Sequence, residues 1–191
     1  AAKAAIALKS HLTSTVGKQM HLGLDILARW IPGIEAGDVL SIAAPFKQRK
    51  TTLLLNILLQ MVRKFGASCA LLMLENTREM VVAQQVCMLA TEYLVRNGLY
   101  GRNIVGEDGA LIEDIRPNVL MQARAGYKNW DKRRVAAVDY GIAEYHKMGN
   151  RLRIYDRRHD GLGSMASLLR VTMRDKALYK TDFMGIAHAQ R

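Results

Sequence analysis

Acidic residues are scarce in this chain: Asp and Glu total 17 against 28 Lys and Arg in 191 residues, a formal net charge of +11. The sequence pI is near 9.9. Such a deficit makes a polyanion the natural partner, whether nucleic acid, an anionic membrane face or an acidic protein. The plainer reading is that the excess keeps the protein soluble. Cysteine is scarcer still, with only Cys69 and Cys87. They have no paired spacing and no neighbouring histidine cluster, so they read as small core residues in a reducing compartment. There is no run of about 18 apolar residues, which excludes a transmembrane helix. The opening AAKAAIALKS lacks the apolar stretch of a secretory signal. Internal repeats and low-complexity tracts are missing too. Half the residues are hydrophobic, a globular composition with enough length for one well-buried domain plus an arm.

The chain is organised around residues 38–61, DVLSIAAPFKQRKTTLLLNILLQM. An apolar run (Val39, Leu40, Ile42, Ala43) predicts a buried strand, followed by a polar turn and a long apolar helical pattern. Lys50, Thr51 and Thr52 sit at the join. Strand, tight loop, Lys-Thr and helix is the layout of a phosphate-binding loop. Backbone N–H groups and the positive helix end face the anion, lysine reaches the outer phosphates and the hydroxyl holds Mg²⁺. The full pattern, G-x-x-x-x-G-K-[ST], fails twice: Ala44 and Arg49 stand at the glycine positions.

Around this stretch the pattern alternates strands and helices. Residues 1–20 read as an N-terminal arm or linker helix, and 21–191 as the main domain. GLDILARWIP (23–32) predicts a short amphipathic helix stopped by proline. Apolar residues on nearly every face of 51–64 predict a buried helix with Gly66 as its C-cap. SCALLML (68–74) reads as a buried parallel strand; Glu75 follows it, and Asn76-Thr77-Arg78-Glu79 starts a helix reaching Tyr93 or so. Residues 96–126 read as a loop or short helical insertion. Its acids Glu107, Asp108, Glu113 and Asp114 could hold a metal but lack a supporting histidine. Arg124, Lys128, Lys132, Arg133 and Arg134, interleaved with Tyr127 and Trp130, could grip a phosphate backbone and stack on bases. They are equally the solvated face of a helix over 131–147 with Val135, Val138, Ile142 and Tyr145 inward. RLRIYD (151–156) predicts a third strand. Ser164 caps a helix with Leu168, Leu169, Val171 and Met173 inside and Arg170, Arg174 and Lys176 outside. DFMGIA (182–187) predicts a fourth strand.

Together these elements predict an α/β fold, a mostly parallel sheet flanked by helices, with ligands at the carboxyl ends of the strands. Glu75, Asp156 and His188 would share that edge with Lys50. GLDILARWIPGIEAGDVLSIAAP, KTTLLLNI, LLMLENTREMVVAQQV, Trp130 with its following helix, RLRIYD and DFMGIAHAQ occur in a distinctive order. In that order the chain, from roughly residue 16 to 191, resembles the RecA-like P-loop motor domain of DnaB-type replicative hexameric DNA helicases, bacterial or phage. The resemblance implies an ATP-hydrolysing domain of DNA replication in the cytoplasm of a bacterial or phage-infected cell. It implies a homo-oligomeric ring on single-stranded or forked DNA, with ATP at subunit interfaces and no membrane partner. ATP and Mg²⁺ would lie on Ala44, Pro45, Phe46, Lys47, Gln48, Arg49, Lys50, Thr51 and Thr52. Lys50 would bind the β/γ-phosphates, Thr51 would ligate Mg²⁺, Glu75 would orient or deprotonate the attacking water and Gln190 would sense the γ-phosphate.

Three departures matter. Arg49 puts a side chain where the loop closes on phosphate. Aligning Gln190 places Ala187 where the family has the carboxylate that supports Mg²⁺; Asp182 is at the wrong end of its strand and Asp156 is the one possible substitute. The later strands, DNA loops and arginine finger are not in the sequence, so the RecA-like core reads as incomplete at its C-terminus. An alternative therefore stands beside the motor: a catalytically weakened or inactive RecA-like module serving as a nucleic-acid-binding scaffold or helicase partner. A recombinase or clock-type ATPase of the same superfamily is a third possibility.

Overall fold

A computed structural model of the chain describes residues 20–35, 38–45 and 48–187. The arm over residues 1–20 lies outside these but for Met20. The chain divides into two compact units, Ala1–Gly66 and Ala67–Arg191.

In the first unit, Met20 and Ile34 form an antiparallel bridge, each N–H donating to the other's carbonyl at 2.9 and 3.0 Å. The helix expected over 23–32 shrinks to one turn, α1 (Asp25–Ala28), with no buried residue. Ile26 and Trp30 are exposed, so no apolar face is buried to extend the turn. The strand expected at 39–43 does not form. Residues 38–45 have no ladder partner among the described residues and Val39 is 89% exposed; an extended segment without a neighbour leaves its backbone groups to water. The helix that follows is as expected. α2 (Lys50–Phe65) buries Leu55, Ile57, Leu58, Leu59, Met61 and Val62. It ends at Gly66, whose left-handed backbone (φ 66°) returns its N–H to Val62 O at 3.0 Å.

The second unit is built on a three-stranded parallel sheet in the order β2-β1-β3: β1 (Cys69–Met73), β2 (Leu152–Asp156) and β3 (Phe183–Ala187). The three strands expected after residue 66 are all present, and β1, buried at all five positions, is the central one. Cys69 pairs in register with Leu152 and Phe183, and Met73 with Asp156 and Ala187. The strands therefore end together, with their carboxyl termini along one edge.

The first crossover carries α3 (Arg78–Arg96), α4 (Pro117–Ala123) and α5 (Lys132–Met148). Thr77 caps α3 by accepting from the Met80 N–H, so the reciprocal Glu79 of the sequence reading is one residue out of place. Asp131 caps α5 through the Arg133 N–H. Val86, Cys87, Ala90 and Leu94 of α3 and Ala137 and Val138 of α5 close a core over Ile112 and Ile115 of the loop. Both cysteines are buried free thiols whose pKa burial pushes up to about 12, the inert core residues the sequence predicted. The helices meet at Gly141, where a Cβ would stand 2.5 Å from the Val86 carbonyl oxygen. Gly141→Ala gains about 1 kcal/mol of helix propensity but overpacks backbone at a cost of about 1–3 kcal/mol. Chemical denaturation is expected to show a net loss of stability.

The second crossover carries α6 (Arg157–Asp160) and α7 (Met165–Tyr179). Ser164 caps α7 in a reciprocal box with Ser167, as a capping box does. Only part of the predicted inner face is inside. Val171 is buried and Leu168 packs against Ala70, Leu72, Tyr155 and Leu162, but Leu169 and Met173 are 55% and 71% exposed. The inward line runs Leu168, Val171, Asp175, because Asp175 is wholly buried and pulls that face of the helix to the sheet.

Candidate functional site

Two places carry chemistry, one in each unit. The first is the turn before α2. Arg49, at the second glycine position of the loop pattern, has left-handed backbone (φ 55°, ψ 29°), the region that favours glycine. Lys50 is the first residue of α2. Its Nζ folds back and donates to the carbonyls of Ala44 at 2.5 Å and Pro45 at 3.0 Å. The Gln48 N–H donates to Pro45 O at 3.3 Å and the Leu53 N–H to Arg49 O at 3.0 Å, so the turn curls over the helix start. Phe46 and Lys47 lie outside the described residues, as do His188 and Gln190. Thr51 is partly buried and Thr52 exposed on the first turn.

The second is the carboxyl edge of the sheet. Glu75, two residues past β1, is exposed and has no hydrogen-bond or ionic partner among the described residues. Asp156, the last residue of β2, is wholly buried. It accepts from the Arg78 N–H at the start of α3 and the His159 N–H in α6, both at 2.6 Å, and from His159 Nδ1 at 2.8 Å. Burial alone would raise its pKa. The His159 backbone and ring and the Arg78 N–H outweigh that and bring the carboxyl down to about 2. Asp160 completes the knot, accepting from the Asp156 N–H at 2.9 Å and Arg78 Nη2 at 2.7 Å. His159 Nε2 points away from Asp156, 3.8 Å from Glu79 Oε1. This arrangement answers one sequence question. Asp156 is committed to two backbone amides and an imidazole, so it is not free to stand in for the carboxylate missing at Ala187.

The sequence reading had Asp156 but missed His159 and Glu79. The signal was the i, i+3 spacing of Asp156 and His159 immediately after a strand, where a short helical turn puts both side chains on one side.

Three of the five cations in the basic–aromatic stretch are paired within the fold. Arg134 is buried, pairs with Asp108 at 2.7 Å, donates to Asp114 O at 2.9 Å and lies 4.2 Å over the Trp130 ring. Arg133 pairs with buried Asp131 at 3.0 Å, and that side-chain bond, with the Glu107 and Arg133 N–H groups, holds the Asp131 carboxyl well below its usual range. Lys128 pairs with Asp139 at 2.7 Å, and the Tyr127 hydroxyl donates to the same carboxylate at 2.8 Å. Of the middle segment's acids, Asp108 is the partner of Arg134, Asp114 pairs with Arg116, and Glu113 accepts from the Gly101 N–H. Inward packing on α5 also holds: Val138 is buried, while Val135, Ile142 and Tyr145 are partly so. Exposed cations without an acidic partner among the described residues include Arg124 and Lys132 of this stretch as well as Arg157, Arg158, Arg170 and Lys176 on α6 and α7.

No known family's sequence profile matches the chain, and neither the curated proteins nor the solved structures include a significant match. Fold and site therefore define the class only at the coarse level: an α/β protein with a small parallel sheet flanked by helices. Among the described residues, no helix is long and apolar enough to cross a membrane.

Proposed function

We propose that the chain is the nucleotide-binding part of a RecA-like, DnaB-type DNA helicase motor. The observation that carries this reading is the turn before α2. A residue in left-handed conformation precedes Lys50, and the Lys50 amine is held over the carbonyls of the same turn at the start of a 16-residue helix. A helix N-terminus of this length with a lysine on its first turn suits a polyphosphate. In this reading ATP takes the Lys50 amine from Ala44 and Pro45, Gln48 and Arg49 line the phosphates, and Thr51 holds Mg²⁺. Glu75, after β1 and without a partner among the described residues, orients the attacking water. The exposed cations of α6 and α7 attract the DNA backbone, with ring assembly setting the strand's path.

A second reading is favoured by the far end of the sheet. Ala187 ends β3 in register with Met73 and Asp156 is fully engaged, so the metal lacks a supporting carboxylate on either of these strands. The module would then bind nucleotide and DNA with little turnover, as a scaffold or helicase partner. An ATPase assay with and without single-stranded DNA separates the two. In the motor reading hydrolysis is DNA-stimulated and Glu75→Gln lowers kcat by about 100-fold or more. Tight DNA binding without hydrolysis supports the scaffold. Hydrolysis unaffected by Glu75→Gln removes Glu75 from the role given it.

A further inference from the structure

The cluster of Glu79, Asp156 and His159 at the sheet's carboxyl edge plays no part in the nucleotide reading. Asp156 receives one ring nitrogen of His159, and a buried carboxylate with two backbone N–H donors already on it is ionised. The ring therefore donates Nδ1–H to Asp156 and directs Nε2 outward. That is how a metal-binding imidazole is set: a carboxylate behind the ring fixes its tautomer and raises its basicity. Glu79 stands on the outward side, on the first turn of α3, with Oε1 3.8 Å from Nε2. One ligand atom from each of the three residues lies within 4.8 Å of the others. Two donors on a metal at zinc-type bond lengths stand about 3.4 Å apart in a tetrahedral site, so a few tenths of an ångström of movement by exposed Glu79 closes the gap.

From this we infer that Glu79 and His159 bind a first-row divalent transition metal through Oε1 and Nε2, with Asp156 as the outer partner that orients the ring. One imidazole and one carboxylate suit zinc, cobalt or nickel rather than magnesium or calcium. Three acids, Glu79, Asp156 and Asp160, gather at this edge; Arg78 is tied to Asp160 at 2.7 Å, and Arg157 and Arg158 beside His159 are exposed. Water fills the remaining positions, so the site is open to a further ligand. Metal here joins β2's end to the start of α3.

The test uses the full chain without an affinity tag, stripped with chelator and titrated with Co²⁺ and Zn²⁺ by calorimetry. Binding is located by paramagnetic broadening of amide NMR signals under Co²⁺. One saturable equivalent is expected, with broadening centred on Glu79 and His159. His159→Asn should abolish this binding and Glu79→Gln should weaken it at least tenfold, while the amide spectra stay folded. Glu79→Gln is the safeguard should His159→Asn disturb the fold, because Glu79 is exposed. Absence of saturable binding, broadening centred on another histidine, or affinity unchanged in both variants would overturn the inference. None of these outcomes depends on ATP binding at Lys50.

Discussion

Asp175→Ala is expected to lower unfolding free energy by about 3–5 kcal/mol, the cost of removing one partner of a buried ion pair. That is a large part of the ~5–15 kcal/mol that keeps a domain folded, so the variant should approach its unfolding transition near body temperature. Asp175 is wholly buried on α7. Its carboxylate accepts from Arg153 Nε at 2.7 Å and Nη2 at 3.0 Å, from the Tyr155 hydroxyl at 2.6 Å, and from the Thr181 hydroxyl. Burial would raise its pKa, but the Arg153 guanidinium and the Thr181 and Tyr155 hydroxyls together lower it. Alanine leaves the Arg153 guanidinium, 10% exposed, with a buried charge and no counter-ion. Urea denaturation followed by circular dichroism measures the loss. The double variant Arg153→Met/Asp175→Leu should recover much of it, since apolar replacement of both partners avoids the stranded charge. A single variant within about 1 kcal/mol of wild type would show that α7 is not held to the sheet by this network.

The second large effect is on acid stability. Asp156 has its pKa lowered from 3.8 to about 2 by the hydrogen bonds it accepts. A carboxyl with depressed folded-state pKa contributes stability that is fully present above its unfolded value and lost as pH falls through the folded one. The loss should therefore begin above pH 4, run mostly between pH 4 and pH 2 and be complete only below the folded value, and be worth about 2 kcal/mol from this group. Asp175, also depressed, adds to the same slope in the same direction. Urea midpoints measured in chelator from pH 6 to pH 2 should fall along this curve. Asp156→Asn should be less stable at pH 6 and show a shallower fall, because the amide cannot be protonated in this range. An equal slope in wild type and variant would mean that Asp156 is not the group being titrated.

How much of this could be read beforehand depends on where the physical signal lay. SCALLML is a short apolar run between turn-formers and became the central strand, buried at all five positions as the middle of a parallel sheet is; RLRIYD and DFMGIA formed the strands on either side of it, with Ile186 of β3 left 56% exposed. Ser164 was legible as a cap, since its side-chain oxygen is a natural acceptor for orphan helix N–H groups, whereas the cap before α3 fell on Thr77, one residue past the expected Asn76. Val39–Ala43 carried the same apolar signal as the true strands yet formed none, because strand formation needs a neighbour that a local pattern does not specify. On α7 the apolar pattern named Leu169 and Met173 as inner residues; the buried Asp175 sets the face instead, and a charged residue gives no inward signal until its Arg153 partner is known. The same blindness hid the fate of Arg133, Arg134 and Lys128. Their acids lie from two to 26 residues away, and only folding brings the more distant ones together. In the candidate sites, Lys50 and Glu75 were named by motif and order, while His159 was missed although its i, i+3 spacing from Asp156 was a legible signal.

The central claim is that the turn before α2 presents the Lys50 amine to a polyphosphate. Equilibrium titration of the whole chain with a fluorescent, non-hydrolysable ATP analogue in Mg²⁺ addresses it without requiring turnover. Saturable binding by wild type is expected, weakened about ten- to hundredfold by Lys50→Ala, as loss of a charge-assisted hydrogen bond of about 1.5–3 kcal/mol requires. Equal affinity in the two proteins, or no saturable binding in either, would contradict the claim.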